Sequence, residues 1–209
     1  MSFRKLLTTG KVYITSDTHF GHKNIVRGVT NWRTQDGEIP VESTRDFQTI
    51  EQMNQRLIDG INHFVGQDDT LIMLGDVSFG GFDNIGLFLD RLVCKNIHLI
   101  LGNHDHHIQK EKHLQKLFTH VTHYEELKVT KKHDSHKFIL CHYPIISWNN
   151  QRNGAYMLHG HQHLKGDSRF CDRQEKRMDI GLCGSPEFRP YHIDELVTTL
   201  NNVNKRLIL

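Results

Sequence analysis

Five apolar runs, each closed by a polar side chain, set the frame of this sequence. Val12-Tyr13-Ile14-Thr15-Ser16 runs into Asp17-Thr18-His19, Leu71-Ile72-Met73-Leu74 reaches Gly75-Asp76, and Ile97-His98-Leu99-Ile100-Leu101 ends at Gly102-Asn103-His104-Asp105. Phe138-Ile139-Leu140-Cys141 meets His142, and Ala155-Tyr156-Met157-Leu158 opens into His159-Gly160-His161-Gln162-His163. Short runs of this kind, rich in β-formers, read as buried strands. In open α/β sheets, ligands bind in the crevice outside the C-terminal strand ends.

Helical periodicity fills the intervals. Ser43 is an N-cap signal before Phe47, Ile50, Met53, Leu57, Ile58, Ile61 and Phe64, which repeat every three to four residues as one apolar face. Further helices are predicted over Asp83–Val93, His106–Phe118 and Asp194–Arg206, with a short one over Ile25–Arg27. Residues 31–40 and 147–154 read as loops. Val121–Val129 and His136–Cys141 flank the polar stretch Thr130–Ser135 and predict a hairpin. Phe170 and Met178–Ile180 are short strand candidates. The β-α alternation through residue 105, then strands with few helices, predicts a layered α/β sandwich with a more antiparallel second half. The chain has 209 residues, enough for one such domain over 1–209.

Composition narrows the classes. A formal net charge of +2 sets up no strong field toward nucleic acid or membrane. No apolar run approaches bilayer length, and Phe3–Leu7 is too short for a signal core. Cys94, Cys141, Cys171 and Cys183 form no C-x-x-C pair and read as reduced thiols. The expectation is a soluble, cytoplasmic protein. Seventeen histidines stand out, several in surface-like tracts, so position decides their meaning.

Asp17-x-His19 and His161-x-His163 put two ligand-type side chains on one side of an extended segment, within reach of one ion. Taken singly, Asp76 reads more readily as a turn former or helix cap and His142 as a satisfied core histidine, and Asp105 also reads as a helix N-cap. Together, seven candidate ligands fall at strand ends, which chance explains poorly.

The order D-x-H, G-D, G-N-H-D, H, G-H-x-H resembles the calcineurin-like metallophosphoesterase superfamily, over roughly residues 11 to 163. Asp17-Thr18-His19-Phe20-Gly21-His22-x-Asn24 and Cys141-His142-Tyr143-Pro144 look like its small single-domain bacterial and phage members. The resemblance implies an α/β/β/α sandwich with mixed sheets and two divalent metals, Mn²⁺ first, with Fe, Zn²⁺ or Ni²⁺ as alternatives. Asp17, His19 and His163 would hold one metal, Asn103, His142 and His161 the other, and Asp76 would bridge them. A hydroxide between the metals would attack the phosphoester. His104 would meet the phosphate or protonate the leaving group, and Asp105 would orient His104 and keep it protonated.

His22 and Asn24 are candidate substrate contacts, while Arg27, Arg33 and Arg152 read as solvated rather than phosphate-binding. His98 and His159 read as structural, and Asp179 as structural or as support behind the ligands. Asp76 is followed by Val-Ser-Phe-Gly-Gly, with no arginine, and Asp105 stands where protein phosphatases of the superfamily tend to carry Glu. Both departures lean toward a phosphodiesterase on a small or nucleotide substrate. A phosphomonoesterase is the runner-up, extended nucleic acid is not favoured, and a non-catalytic metal-binding module is the rival from another class. Oligomeric state is not legible.

Overall fold

The computed structural model describes residues 3–6, 8–131, 134–170 and 176–203. Leu7, Lys132 and His133 of the predicted turn, Cys171, and residues 204–206 of the predicted terminal helix lie outside the described residues. In chain order the strands are β1 (Arg4–Lys5), β2 (Val12–Thr15), β3 (Thr70–Met73), β4 (Asn96–Ile100), β5 (His120–Thr122), β6 (Tyr124–Lys131), β7 (Asp134–Cys141), β8 (Tyr156–His159), β9 (Arg177–Asp179) and β10 (Tyr191–His192). The helices are α1 (Ile50–Phe64), α2 (Phe82–Asp90), α3 (His106–Lys110), α4 (Lys112–Gln115) and α5 (Ile193–Val203).

Two mixed five-stranded sheets form, in the orders β10-β2-β3-β4-β5 and β1-β6-β7-β8-β9. Each has one antiparallel pair, β10 with β2 and β6 with β7. The second half is therefore not the more antiparallel, because β7, β8 and β9 run parallel. Strand alternation explains the layers. Val12, Ile14, Ile72, Leu74 and Ile100 of the first sheet share a core with Phe138, Leu140, Tyr156 and Leu158 of the second. The intervening Tyr13, Leu71, Met73 and Leu99 point the other way, onto Leu57, Ile61, Ile85 and Phe88 of α1 and α2. Both faces of these strands are buried, which is why they read as unbroken apolar runs. On the outer face of the second sheet, Ile139 and Met157 pack with Trp148 and Ala155, so an irregular segment covers that side. No helix among the described residues is long and apolar enough to cross a membrane.

Several predicted elements change. The long helix starts at Thr49 rather than Ser43: the Thr49 side chain accepts from the Gln52 amide, closing a capping box. Ser43 lies in a 3-10 turn over Val41–Ser43. The helix over 106–118 breaks at Glu111, whose backbone is extended, into α3 and α4. The short helix placed at Ile25–Arg27 is a 3-10 turn over Lys23–Ile25. The run Val121–Val129 also divides, since β5 pairs with β4 while β6 pairs with β7, so the chain changes sheet around His123.

Candidate metal centre

Beyond the ends of β2 and β3 the backbones stay paired: Asp17 N donates to Gly75 O, His19 N to Asp76 O and Phe20 N to Val77 O, each at 3.0 Å. Gly75 makes the next approach feasible. Its φ is +90°, and a Cβ there would lie 2.5 Å from Gly102 N and 2.7 Å from His142 Nδ1. Gly160 does the same for β8, since its Cβ would fall 2.0 Å from Ser16 Oγ and 2.2 Å from Asp17 Oδ2. The glycines of the G-D and G-H-x-H motifs thus let five strand ends meet. Asp17, His19, Asp76, His161 and His163 all have φ between +50° and +71°. That is the left-handed region, uncommon for side-chain-bearing residues and concentrated at functional sites.

These backbones aim the side chains at one place. His19 Nε2 lies 3.0 Å from His163 Nε2, and Asp17 Oδ1 lies 3.2 Å from His163 Nε2 and 3.8 Å from His19 Nε2. Next to this group, His142 Nε2 lies 3.6 Å from Asp76 Oδ2 and 2.9 Å from Asn103 Oδ1, which is also 2.9 Å from His161 Nδ1. Asp76 Oδ2 is 3.7 Å from His19 Nε2, so Asp76 faces both groups. Two sets of ligand atoms each fall within 4.8 Å of one another: Asp17, His19 and His163, and Asp17, Asp76 and His142.

The donor set fits metal ions. Ligands about 2.0–2.2 Å from one metal sit roughly 3 Å from each other, as these do. His142 Nδ1 lies 2.7 Å from the Leu74 carbonyl, which fixes the ring proton on Nδ1 and leaves a lone pair on Nε2. That lone pair faces the oxygens of Asn103 and Asp76, three acceptors converging with a cation's place between them. Burial alone would push the Asp17 carboxyl up, but hydrogen bonds with His163 and His19 hold it well below the usual range. Burial pushes His19 down to about 3, favouring the neutral, ligating imidazole. Partial burial alone would lower His163, yet its hydrogen bonds to Asp17 and Cys183 raise it to about 10, so the same field attracts a proton or a dication.

His104 stands beside this group. Its backbone N–H donates to Asp76 Oδ1 at 2.9 Å, and its exposed ring tilts against Phe79, 4.8 Å away. Asp105 does not take the role expected of it. Its carboxylate is fully buried and accepts from the amides of Asp76 (2.8 Å), Val77 (2.9 Å) and Gly102 (2.8 Å), tying two ligand loops together rather than orienting His104. It also makes no side-chain cap on α3. His22 lines the cleft, stacked on Phe79 at 3.8 Å with Nδ1 3.1 Å from His19 Nδ1. Asn24 sits on the 3-10 turn outside the lining. Asp179 accepts from the amides of Gly181 and Leu164 behind Asp17. His159 is fully buried, with Nδ1 3.0 Å from its neighbour's carbonyl.

Two residues escaped the sequence reading. Among the described residues Arg45 is buried with no carboxylate partner, and its guanidinium donates to the carbonyls of Asp17 (2.5 Å) and Thr18 (2.9 Å). It clamps the first motif from behind. Cys183 lies 3.4 Å from Arg45 Nε and 3.8 Å from His163 Nδ1. Burial would raise its thiol, but the Arg45 charge and the contact with His163 together outweigh that and bring it to about 7. Both lie outside any motif, so no spacing signal marks them.

No protein-family model matches the chain. An uncharacterized protein of Methanocaldococcus jannaschii is 26% identical over 189 residues, covering 90% of this chain and 89% of its own length. The gene 66 protein of Mycobacterium phage D29 is 27% identical over 218 aligned positions, 94% of this chain and 98% of that protein. Among solved structures, a protein of unknown function from Aquifex aeolicus superposes with a TM-score of 0.62 at 18% identity, covering 91% of this chain and all of that one. That likeness shows the fold: two mixed sheets with helices packed on them, in an α/β sandwich.

Proposed function

We propose that this chain is a binuclear metal-dependent phosphoester hydrolase of the calcineurin-like metallophosphoesterase type, acting on phosphodiesters. The observation that carries the reading is the pair of adjoining ligand groups that Asp17 and Asp76 join in one cleft. Asp17, His19 and His163 would hold one metal, and Asn103, His142 and His161 the other. Asp76 would bridge, its carboxylate offsetting the repulsion between two dications. The mixed nitrogen and oxygen set suits Mn²⁺, with Fe, Zn²⁺ or Ni²⁺ as alternatives. When bound, such a pair acidifies water and neutralises phosphate oxygens.

The chain's own residues supply the rest. The His142 proton on Nδ1 orients that ring toward the centre through Leu74 O. The His104 imidazole, exposed at the cleft and anchored through its amide to Asp76, is the group that hands a proton to the departing ester oxygen. His22 stands at the wall, where it can contact the leaving group.

The test is hydrolysis of bis-p-nitrophenyl phosphate against p-nitrophenyl phosphate by metal-stripped protein with Mn²⁺ restored, alongside metal content per chain. Two Mn²⁺ per chain with faster diester cleavage is expected. Faster monoester cleavage would replace the phosphodiesterase reading with a phosphatase. Two bound metals without turnover of either ester would favour a non-catalytic metal-binding module.

A further inference from the structure

The cleft holding the ligand groups, about 450 Å³, is large enough for a small organic phosphoester. One wall is aromatic and leads outward from the metal groups. Phe79 stacks on His19 at 5.0 Å, His22 stacks on Phe79 at 3.8 Å and 10°, and Trp32 meets His22 edge-on at 5.9 Å and 82°. Trp32 is 37% exposed, and its backbone is hydrogen-bonded within its own loop. Its amide donates to Thr30 Oγ1 at 3.1 Å, and its carbonyl accepts from Arg33 Nη1 at 2.6 Å.

The charges are as telling as the rings. Among the described residues, no lysine or arginine lines this cleft. Arg27 is engaged with Asp46, Arg33 with carbonyls of its own loop, and Lys165 with Glu42. Apart from Asp76, the acidic group on the lining is Glu42, at the lip. A second phosphate, or a polynucleotide backbone, would meet there the Glu42–Lys165 ion pair rather than an unpaired lysine or arginine.

We infer that Trp32 is a specificity-determining platform for a planar heteroaromatic group on the substrate, in a cleft that accepts one phosphate. The inference deepens the phosphoesterase reading and rests on it for the position of that phosphate. The substrate class is a nucleoside-like diester carrying a single phosphorus. Loss of the indole should weaken binding about tenfold, which is about 1.4 kcal/mol and within the range for a base stacked on an aromatic side chain.

The experiment measures binding by calorimetry to Mn²⁺-loaded protein, with free Mn²⁺ held constant. The probes are adenosine 5′-monophosphate, ribose 5-phosphate and adenosine 5′-diphosphate. The monophosphate is expected to bind at least tenfold tighter than ribose 5-phosphate, and the diphosphate no tighter than the monophosphate. Trp32→Leu should erase the nucleoside advantage and leave ribose 5-phosphate unchanged, while Trp32→Phe restores most of it. Equal binding of the two monophosphates, equal loss of both in Trp32→Leu, or tenfold tighter diphosphate binding would overturn the inference. Turnover of bis-p-nitrophenyl phosphate is read separately. Turnover without discrimination removes the Trp32 platform alone, and discrimination without turnover removes the hydrolase reading while the platform stands.

Discussion

Asp105→Asn separates two roles for one carboxylate. Asp105 Oδ2 accepts from Asp76 N and Gly102 N, and Oδ1 from Val77 N. An asparagine of the same shape keeps its oxygen on the first two amides and turns its NH₂ toward the Val77 N–H. One hydrogen bond to a charged acceptor, worth about 1.5–3 kcal/mol, is lost, and a buried donor left unsatisfied costs roughly 1–3 kcal/mol more. The sum is about 4 kcal/mol, or about 8–16 °C in Tm for a domain of this size. The loops carrying Asp76 and Asn103 should loosen together, so Mn²⁺ affinity falls with stability. Thermal unfolding with and without Mn²⁺, and metal content after dialysis, read both effects. A variant with unchanged Tm and metal content, yet with turnover reduced as far as in His104→Gln, would refute this and return Asp105 to orienting His104.

Other expectations follow from single contacts. His104→Gln should keep both metals and lose most turnover of bis-p-nitrophenyl phosphate, and parallel loss of bound Mn²⁺ would sink its place as proton donor. Gly160→Ala puts a Cβ 2.2 Å from Asp17 Oδ2. It should lower stability by about 1–3 kcal/mol through overpacking and weaken metal binding, and unchanged Tm and Mn²⁺ content would count against the close approach. His98, away from the site, is lowered by burial and then by Arg4 to about 4. Its unfolded form takes up a proton near pH 6.5 while the folded form stays neutral, so stability should fall as pH drops from 6.5 toward 4. His98→Gln should flatten that slope in urea unfolding, and an unaltered slope would contradict the assignment.

The parts of this molecule legible in the sequence are those governed by local rules. The strands at 12–15, 70–73, 96–100 and 156–159 are buried on both faces, so their runs are unbroken and their ends fall within a residue of the predicted ones. Because the candidate ligands sit at those ends, the groups around Asp17, His19, Asp76, His142 and His163 were readable as a set. What long-range packing decides was not readable. Thr44 to Gln48 continue a helical pattern, but Arg45 is drawn inward to the Asp17 and Thr18 carbonyls, and the helix waits for Thr49. His123 marks a change of sheet with no turn residue to announce it. Asp105 has the composition of a catalytic partner and the surroundings of a staple, a distinction that only the three amides around it make. Asn24 shares a motif with His22, yet the turn between them carries it off the cleft.

The left-handed backbone at Asp17, His19, Asp76, His161 and His163 also bears on how such a chain can change over time. At these positions the fold alone would rather have glycine or asparagine, which adopt that conformation at little or no cost. A lineage released from its chemistry should therefore drift to those residues and gain stability as it loses ligands. Decay in this scaffold would leave a recognisable scar of glycines at strand ends, in the places where histidine and aspartate now stand.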